Sequence, residues 1–132
     1  MTLTEKNDRP TILVVEDDED VEKLIRLVLE FEGFEVKHAA DGLQAMAYIA
    51  SQPPPALVTL DIELPNAKGD EVMMLIKTSP GWERVPVVMI TATPKTASTW
   101  TVRTGAKGYL VKPFQPQQLL DCVRKLIPKT KA

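Results

Sequence analysis

Hydrophobic residues along this chain gather in short runs, and four of these runs end in residues that can do chemistry. The runs are Ile12–Val15 before Glu16 and Asp17, Ala56–Leu60 before Asp61, Val85–Ile90 before Thr91, and Gly108–Val111 before Lys112. Short apolar runs bounded by turn residues are typical of buried strands. If the strands are parallel, all four endings lie along one edge of one sheet, which is where open α/β sheets bind ligands.

The pattern alternates strand and helix five times, which favours a parallel sheet covered by helices on both faces. The predicted strands are 11–15, 34–38, 56–60, 85–90 and 107–111, and the predicted helices are 19–32, 42–51, 69–78, a fourth within 95–104, and a fifth after Pro116. The fourth helix is predicted to be short or irregular, because its segment is rich in threonine and has no clean apolar stripe.

Apolar spacing predicts which helix positions are buried. In the first helix, Val21, Leu24, Ile25 and Val28 follow the helical i, i+3, i+4, i+7 rule. In the second helix, the predicted buried positions include Leu43 and Met46. The second strand alternates apolar and polar residues, which predicts a place at the edge of the sheet.

Length and composition indicate one domain. The 132 residues are 44% hydrophobic and 26% charged, which is ordinary for a soluble globular protein. We expect a flexible N-terminus at 1–10, a domain at 11–127 and a basic tail at 128–132. No apolar stretch approaches a membrane span, and the N-terminus has no signal-peptide pattern. The lone Cys122 cannot form an internal disulfide, so we expect a cytoplasmic setting.

Charge is unevenly distributed along the chain. Residues 1–94 carry 8 basic and 17 acidic side chains, whereas residues 95–132 carry 8 basic and 1 acidic. The balances are −9 and +7, against a net charge of −2 for the whole chain. This asymmetry indicates an acidic site in one place and a partner surface elsewhere, or simply two solvated faces.

Three carboxylates, those of Glu16, Asp17 and Asp61, end two of the predicted strands. If those strands are neighbours, the carboxylates repel one another, and a bound cation would relieve the repulsion. Oxygen ligands in small number suit Mg²⁺, whereas one histidine and one cysteine cannot form a structural zinc site. The alternative is that the acidic run 16–20 merely begins a helix, since acids favour helix N-termini. Asp61 has no such explanation, because a carboxylate directly after an apolar run is costly to bury.

Lys112 and Thr91 stand at the ends of the other two strands. Lys112 could pair with Asp61 or hold a phosphoryl oxygen, and the alternative is a surface lysine at a strand end. Thr91 could donate its hydroxyl to a phosphoryl oxygen, and the alternative is a β-branched residue that simply suits a strand. His38 is expected to be a solvated or partly buried imidazole, and Cys122 a buried small hydrophobe.

Four sequence blocks, in this order and spacing, resemble the receiver domain of two-component response regulators of the chemotaxis-regulator type. The blocks are ILVVEDD at 12–18, LVTLDIELP at 57–65 with Gly69, PVVMITA at 86–92, and GAKGYLVKPF at 105–114. The resemblance covers residues 10–127. It implies a flavodoxin-like doubly wound fold with strand order 2-1-3-4-5.

The resemblance also implies a role for each matching residue. Asp61 would accept a phosphoryl group from a sensor histidine kinase or phosphotransfer protein. Glu16, Asp17, Asp61 and the backbone carbonyl of Glu63 would hold Mg²⁺. Thr91 would be the switch hydroxyl and Tyr109 the aromatic switch residue, while Lys112 would contact the phosphoryl group and precede a cis proline bond. Such a domain signals to a partner and is not an enzyme in the usual sense.

Several features differ from the usual family pattern. Glu16 stands where many members have aspartate, the loop 65–69 lacks the frequent methionine, and the segment 91–105 is about one residue short. The last difference affects the usual output surface, which we expect to include Trp100, Arg103 and Lys107. The basic charge there would attract an acidic protein partner, and we expect no direct contact with nucleic acid or membrane.

Other functional classes share parts of the pattern. A flavodoxin-like cofactor binder would need a first loop rich in Ser, Thr and Gly. A phosphatase using Asp61 and Glu63 would usually place its nucleophile on the first strand. A phosphorylation-independent interaction module of the same fold, and a receiver excised from a larger transcriptional regulator, remain as alternatives.

Overall fold

Five parallel strands form one sheet in the computed structural model, which describes residues 9–64, 69–93 and 105–127. The strands are β1 (Thr11–Val15), β2 (Glu35–Ala39), β3 (Leu57–Asp61), β4 (Val87–Thr91) and β5 (Gly108–Val111). Their order across the sheet is β2-β1-β3-β4-β5, which confirms the predicted order. The order reverses direction after β2 and β1, so the crevice between β1 and β3 is the topological switch point where such folds bind ligands.

Four helices lie within the described residues. They are α1 (Glu19–Phe31), α2 (Gly42–Ser51), α3 (Gly69–Thr78) and α4 (Pro116–Leu126). The fourth helix predicted within 95–104 lies outside the described residues, as do 1–8 of the predicted N-terminus and the predicted tail at 128–132. The label α4 therefore denotes the helix that follows β5, which was predicted as the fifth.

The sheet separates two hydrophobic cores. Alternate residues of β1 show the division, since Ile12 and Val14 face one core while Leu13 and Val15 face the other. The first core contains buried residues of α1 and α4, and the second contains those of α2 and α3. All residues of β3 and β4 are buried, as expected for central strands covered on both faces. Each fully buried aliphatic side chain contributes about 1.5–3 kcal/mol, so the strand ends are held on a rigid base.

Two large side chains that were predicted for the core, those of Leu43 and Leu24, are exposed instead. Leu43 is 59% exposed, because α2 turns Gly42, Ala45 and Ile49 toward the sheet and leaves Leu43 about a quarter-turn away. Leu24 is also exposed, at the margin of the apolar face of α1. The prediction for β2 is confirmed, because this strand lies at the sheet edge and leaves Lys37 and His38 exposed.

The ends of α1 are set by local chemistry. Asp18 is the N-cap, and its Oδ1 accepts hydrogen bonds from the backbone N–H groups of Asp20 and Val21 at 2.9 and 3.2 Å. Gly33 follows the helix with a φ of +97°, a conformation that favours glycine, and α1 ends there as predicted. The short connection from β1 to α1 therefore holds Glu16 and Asp17 at the sheet edge.

Candidate functional site

The carboxyl ends of β1, β3, β4 and β5 lie side by side at one edge of the sheet. Backbone hydrogen bonds continue across the strand ends, from Ile62 N to Ile90 O at 3.1 Å and from Lys112 N to Thr91 O at 2.8 Å. This register brings together Glu16, Asp61, Thr91 and Lys112, which were identified from sequence as the endings of separate runs.

An acidic pocket forms where β1 and β3 end. One carboxylate oxygen from each of Glu16, Asp17 and Asp61 lies within 4.8 Å of the others. Glu16 is 1% exposed and Asp61 2% exposed, while Asp17 is exposed to solvent. Two of the three carboxylates have therefore lost most of their hydration, and a positive charge is needed nearby.

Lys112 supplies one such charge. Its Nζ donates to Glu16 Oε2 at 3.1 Å and to Asp61 Oδ2 at 3.0 Å. Burial by itself would lower the pKa of Lys112, but the hydrogen bonds and charges of Asp61 and Glu16 raise it above its usual value. Lys112 thus remains a cation at neutral pH. We call Glu16 and Lys112 the charged flank of Asp61.

The Glu16 carboxyl is incompletely compensated. Burial raises the pKa of Glu16 to about 7, the charge of Asp61 acts in the same direction, and Lys112 opposes both. Glu16 Oε2 accepts from Lys112 and from Asp18 N, whereas the buried Oε1 has no hydrogen-bond partner among the described residues. A buried oxygen without a partner costs about 1–3 kcal/mol.

These features fit a small divalent cation. The donor set is all oxygen, it comes from three carboxylates, and Asp17 leaves one side open to water. Mg²⁺ prefers oxygen ligands and retains several of its own waters, so a few carboxylates in a partly open pocket suit it. A cation would also supply the missing partner for Glu16 Oε1 and reduce the repulsion among the three acids.

The acidic run 16–20 serves both roles that the sequence left open. Asp18 caps α1, and Glu19 and Asp20 lie in its first turn, as expected for acids at a helix N-terminus. Glu16 and Asp17 precede the cap and face the pocket. His38 adds a contact that the sequence did not predict, because its Nε2 donates to the backbone carbonyl of Glu16 at 2.8 Å and steadies the end of β1.

On its other side, Asp61 contacts the loop that follows β3. Asp61 Oδ1 accepts a hydrogen bond from Glu63 N at 2.9 Å. The first residue of α3 packs tightly on this loop, since a Cβ added at Gly69 would lie 2.8 Å from the Cα of Ile62. Only glycine permits that approach without a shift of the loop, which gives the sequence match at Gly69 a physical basis.

Thr91 is fully buried, and both hydrogen-bonding functions of its hydroxyl are used. Its Oγ1 donates to Glu63 Oε2 at 2.7 Å and accepts from Thr93 N at 3.1 Å. The second carboxylate oxygen of Glu63 accepts from Ala92 N at 3.3 Å. We call Glu63, Thr91 and Ala92 the hydrogen-bonded flank of Asp61. The contact of the Glu63 side chain with Thr91 and Ala92 was not predicted from sequence, because no local pattern signals that this side chain turns back toward β4.

The remaining predicted site residues divide into two groups. Tyr109 is 45% exposed on β5 and Lys107 is exposed just before that strand. Trp100 and Arg103 lie outside the described residues.

The peptide bond between Lys112 and Pro113 is cis, as the family resemblance implied. No helix in the described parts of the chain is long and apolar enough to cross a membrane.

Comparison with known families places this edge in context. A family model described as the response regulator receiver domain matches residues 12–124. The DNA-binding response regulator MtrA of Mycobacterium tuberculosis is 37% identical over 117 residues, which are 88% of this chain and 50% of that protein. The phosphate regulon transcriptional regulatory protein PhoB of Rhizobium meliloti is 36% identical over 123 residues, which are 92% of this chain and 54% of that protein. The chain thus spans about half the length of these curated relatives.

Solved structures with the same fold include chemotaxis and kinase-linked proteins. The chemotaxis response regulator CheY4 of Vibrio cholerae has a TM-score of 0.82 and 27% identity, covering 89% of this chain and 98% of that one. The receiver domain of the sensor histidine kinase PA1611 of Pseudomonas aeruginosa has a TM-score of 0.82 and 27% identity, covering 92% and 99%. That structure has a magnesium ion coordinated in its active-site cleft.

Proposed function

Because this chain belongs to the response regulator receiver domain family, we propose that it accepts a phosphoryl group on Asp61 from a phosphohistidine protein. The observation that carries the proposal is the setting of Asp61, a buried carboxylate at a strand end with Lys112 at 3.0 Å and two further carboxylates in reach. The donor would be a sensor histidine kinase or a phosphotransfer protein in the cytoplasm. Receiver domains are signalling domains, and the activity proposed here is self-phosphorylation and self-dephosphorylation.

Glu16, Asp17 and Asp61 would hold Mg²⁺, together with the backbone carbonyl of Glu63. When bound, the ion neutralises charge on the transferring phosphoryl group. The partnerless Glu16 Oε1 and the mutual repulsion of the three acids support this assignment. The longer side chain of Glu16, compared with aspartate, is already turned into the pocket by its bonds from Asp18 N and Lys112.

The transfer itself needs little covalent chemistry from the protein. One carboxylate oxygen of Asp61 forms a bond to phosphorus as the bond from phosphorus to the donor imidazole nitrogen breaks. Lys112 would neutralise the phosphoryl oxygens, and the contact of its ammonium with Asp61 Oδ2 supports this role. Thr91 would then donate its hydroxyl to one of those oxygens. Positioning and charge neutralisation are the main requirements of phosphoryl transfer.

We further propose that the phosphoryl group biases a two-state element made of Thr91, the segment after it and Tyr109. Phosphorylation adds negative charge and acceptor oxygens, so donors near Asp61 are drawn toward it. Tyr109 is half-exposed on β5, so an inward rotation would be a measurable change of state.

The output partner is proposed to dock on the face around β5 and α4, with Trp100, Arg103 and Lys107 as contact residues. Lys107, just before β5, and Lys125, on α4, are exposed, whereas the exposed Arg124 is already paired with Glu32 at 2.9 Å. An acidic protein surface would match this charge. Although the relative MtrA is named as a DNA-binding response regulator, no direct contact of this domain with nucleic acid is proposed.

Intact-mass spectrometry with a small phosphodonor tests the proposal. Acetyl phosphate with Mg²⁺ should add one phosphoryl group, about 80 Da, to the wild-type chain and none to Asp61→Asn. EDTA should reduce the modified fraction at least tenfold. Glu83 is an exposed acid that precedes the amino end of β4, away from the carboxyl ends of the strands. Glu83→Gln therefore serves as a matched control and should behave as wild type. Modification that persists in Asp61→Asn, or that proceeds equally in EDTA, would contradict the assignment.

A further inference from the structure

The carboxylate of Glu63 occupies two hydrogen-bond donors at the end of β4. Its Oε2 accepts from the Thr91 hydroxyl at 2.7 Å and its Oε1 accepts from Ala92 N at 3.3 Å. This arrangement places two oxygens of one anion on two adjacent donors. The Thr91 hydroxyl is fixed from the other direction as well, because its oxygen accepts from Thr93 N at 3.1 Å.

These donors lie beside Asp61. Asp61 pairs in register with Ile90, so Thr91 is the next residue along the neighbouring strand. The backbone N–H of Glu63 donates to Asp61 Oδ1 at 2.9 Å, so residue 63 contacts the acceptor carboxylate through its backbone and the donors through its side chain. A phosphoryl group on Asp61 would bring anionic oxygens to this position, and they would need the same kind of donors.

We propose that Glu63 is a positioning residue that acts as a carboxylate latch, occupying the Thr91 and Ala92 donors until a phosphoryl group displaces it. The inference rests on the proposed function, since it takes phosphorylated Asp61 as the competing anion. The latch holds Thr91 in the unphosphorylated arrangement and weakens capture of the phosphoryl oxygens. Release is feasible, because Glu63 is exposed and its freed carboxylate can be solvated.

Glu63 could weaken binding of an anion at Asp61 by occupying the Thr91 and Ala92 donors or simply by charge repulsion. Three variants of Glu63 distinguish these two explanations. Glu63→Ala removes both the acceptor and the charge. Glu63→Asp keeps the charge but shortens the side chain by one methylene, so the carboxylate no longer reaches both donors. Glu63→Gln keeps the length and one acceptor oxygen but loses the charge, and its amide NH₂ cannot accept from Ala92 N.

Beryllium fluoride with Mg²⁺ is the probe, since it binds an aspartate carboxylate as an analogue of a phosphoryl group. Titration by calorimetry should give a dissociation constant about threefold to tenfold lower for Glu63→Ala and Glu63→Asp than for wild type. Glu63→Gln should fall between them and wild type. Glu83→Ala, which removes an exposed charge before the amino end of β4, should match wild type.

A double-mutant cycle shows whether the effect passes through Thr91. The gain from Glu63→Ala should persist in a Thr91→Ser background, where the hydroxyl remains, and should shrink in Thr91→Ala. The latch is overturned if Glu63→Asp binds the probe as weakly as wild type while Glu63→Gln binds as tightly as Glu63→Ala, because charge alone would then explain the effect. Equal affinity in all variants would overturn it as well.

A second measurement separates failure of the latch from failure of the proposed function. In metal-free, unmodified protein, the amide resonance of Ala92 should shift in Glu63→Ala and Glu63→Asp but not in Glu83→Ala. If wild type fails to bind the probe with Mg²⁺, the proposed function fails, and the Ala92 shift still decides whether the latch contact forms. An unchanged Ala92 resonance in Glu63→Ala would overturn the latch even where Asp61 binds the probe.

Discussion

The two flanks of Asp61 differ in how far their carboxylates are removed from water. In the charged flank, Glu16 is 1% exposed and its carboxylate shares the ammonium of Lys112 with Asp61. In the hydrogen-bonded flank, the Glu63 carboxylate is exposed and its bonds compete with water. Charges removed from water interact strongly and must be compensated, whereas a solvated hydrogen bond contributes little and can be exchanged. We therefore expect substitutions in the charged flank to have larger effects than substitutions in the hydrogen-bonded flank.

The largest effect is expected from Lys112→Met, which leaves two buried carboxylates without their shared cation. In EDTA at pH 8, the free energy of unfolding should fall by about 2–4 kcal/mol. Excess Mg²⁺ should restore part of the loss, because the ion would supply positive charge to the same pocket. Denaturant midpoints measure the effect, and the exposed Lys107→Met is the control, with an expected change of about 0.5 kcal/mol or less. Equal losses of stability in Lys112→Met and Lys107→Met would show that the charged flank has no special need for the Lys112 cation.

The next effect concerns pH. Glu16 has a pKa of about 7 in the folded chain against 4.5 ordinarily, so folding favours its protonated form. The associated stability is fully present below pH 4.5 and is lost as pH rises through 7, by on the order of 2 kcal/mol in EDTA. Relative to Glu16→Gln, the wild-type free energy of unfolding should thus decline across this range. A constant difference between the two proteins from pH 5 to 8 would show that Glu16 does not carry the strain of the charged flank.

Mg²⁺ affinity should increase with pH, whereas the stability in EDTA decreases. The ion requires ionised Glu16, so the apparent affinity should increase by up to about tenfold for each unit by which the pH is raised toward 7. Glu16→Gln should flatten this dependence. Calorimetric titration of Mg²⁺ at several pH values provides the measurement.

The smallest effect is expected from Thr93→Ala. Thr93 contacts the Thr91 hydroxyl through its backbone N–H, which alanine retains, and its side chain is exposed. The rate of phosphate release from phosphorylated Thr93→Ala should stay within about twofold of the wild-type rate. The rate in Glu63→Ala should differ from the wild-type rate by a larger factor. A larger effect from Thr93→Ala than from Glu63→Ala would move the control of timing out of the hydrogen-bonded flank.

Much of the framework followed from local patterns. β1, α2 and α3 begin and end where predicted, and the other described elements differ from the bounds predicted for them by one or two residues. Leu43 shows the limit of such patterns. Its spacing fits an apolar face, but α2 is rotated so that Gly42, Ala45 and Ile49 are the buried positions, and spacing alone does not set that rotation.

The sequence by itself determined the fold class, the strand order through family resemblance, and the position of Glu16, Asp17, Asp61, Thr91 and Lys112 at strand ends. Position along a strand can be predicted locally, because the hydrophobic pattern of neighbouring residues indicates where a strand begins and ends. Only the tertiary structure decided that Lys112 bridges Glu16 and Asp61, that Glu16 Oε1 lacks a partner among the described residues, and that Glu63 turns onto Thr91. Those contacts join residues 28 to 96 positions apart, and side-chain direction across such distances depends on packing rather than on local pattern.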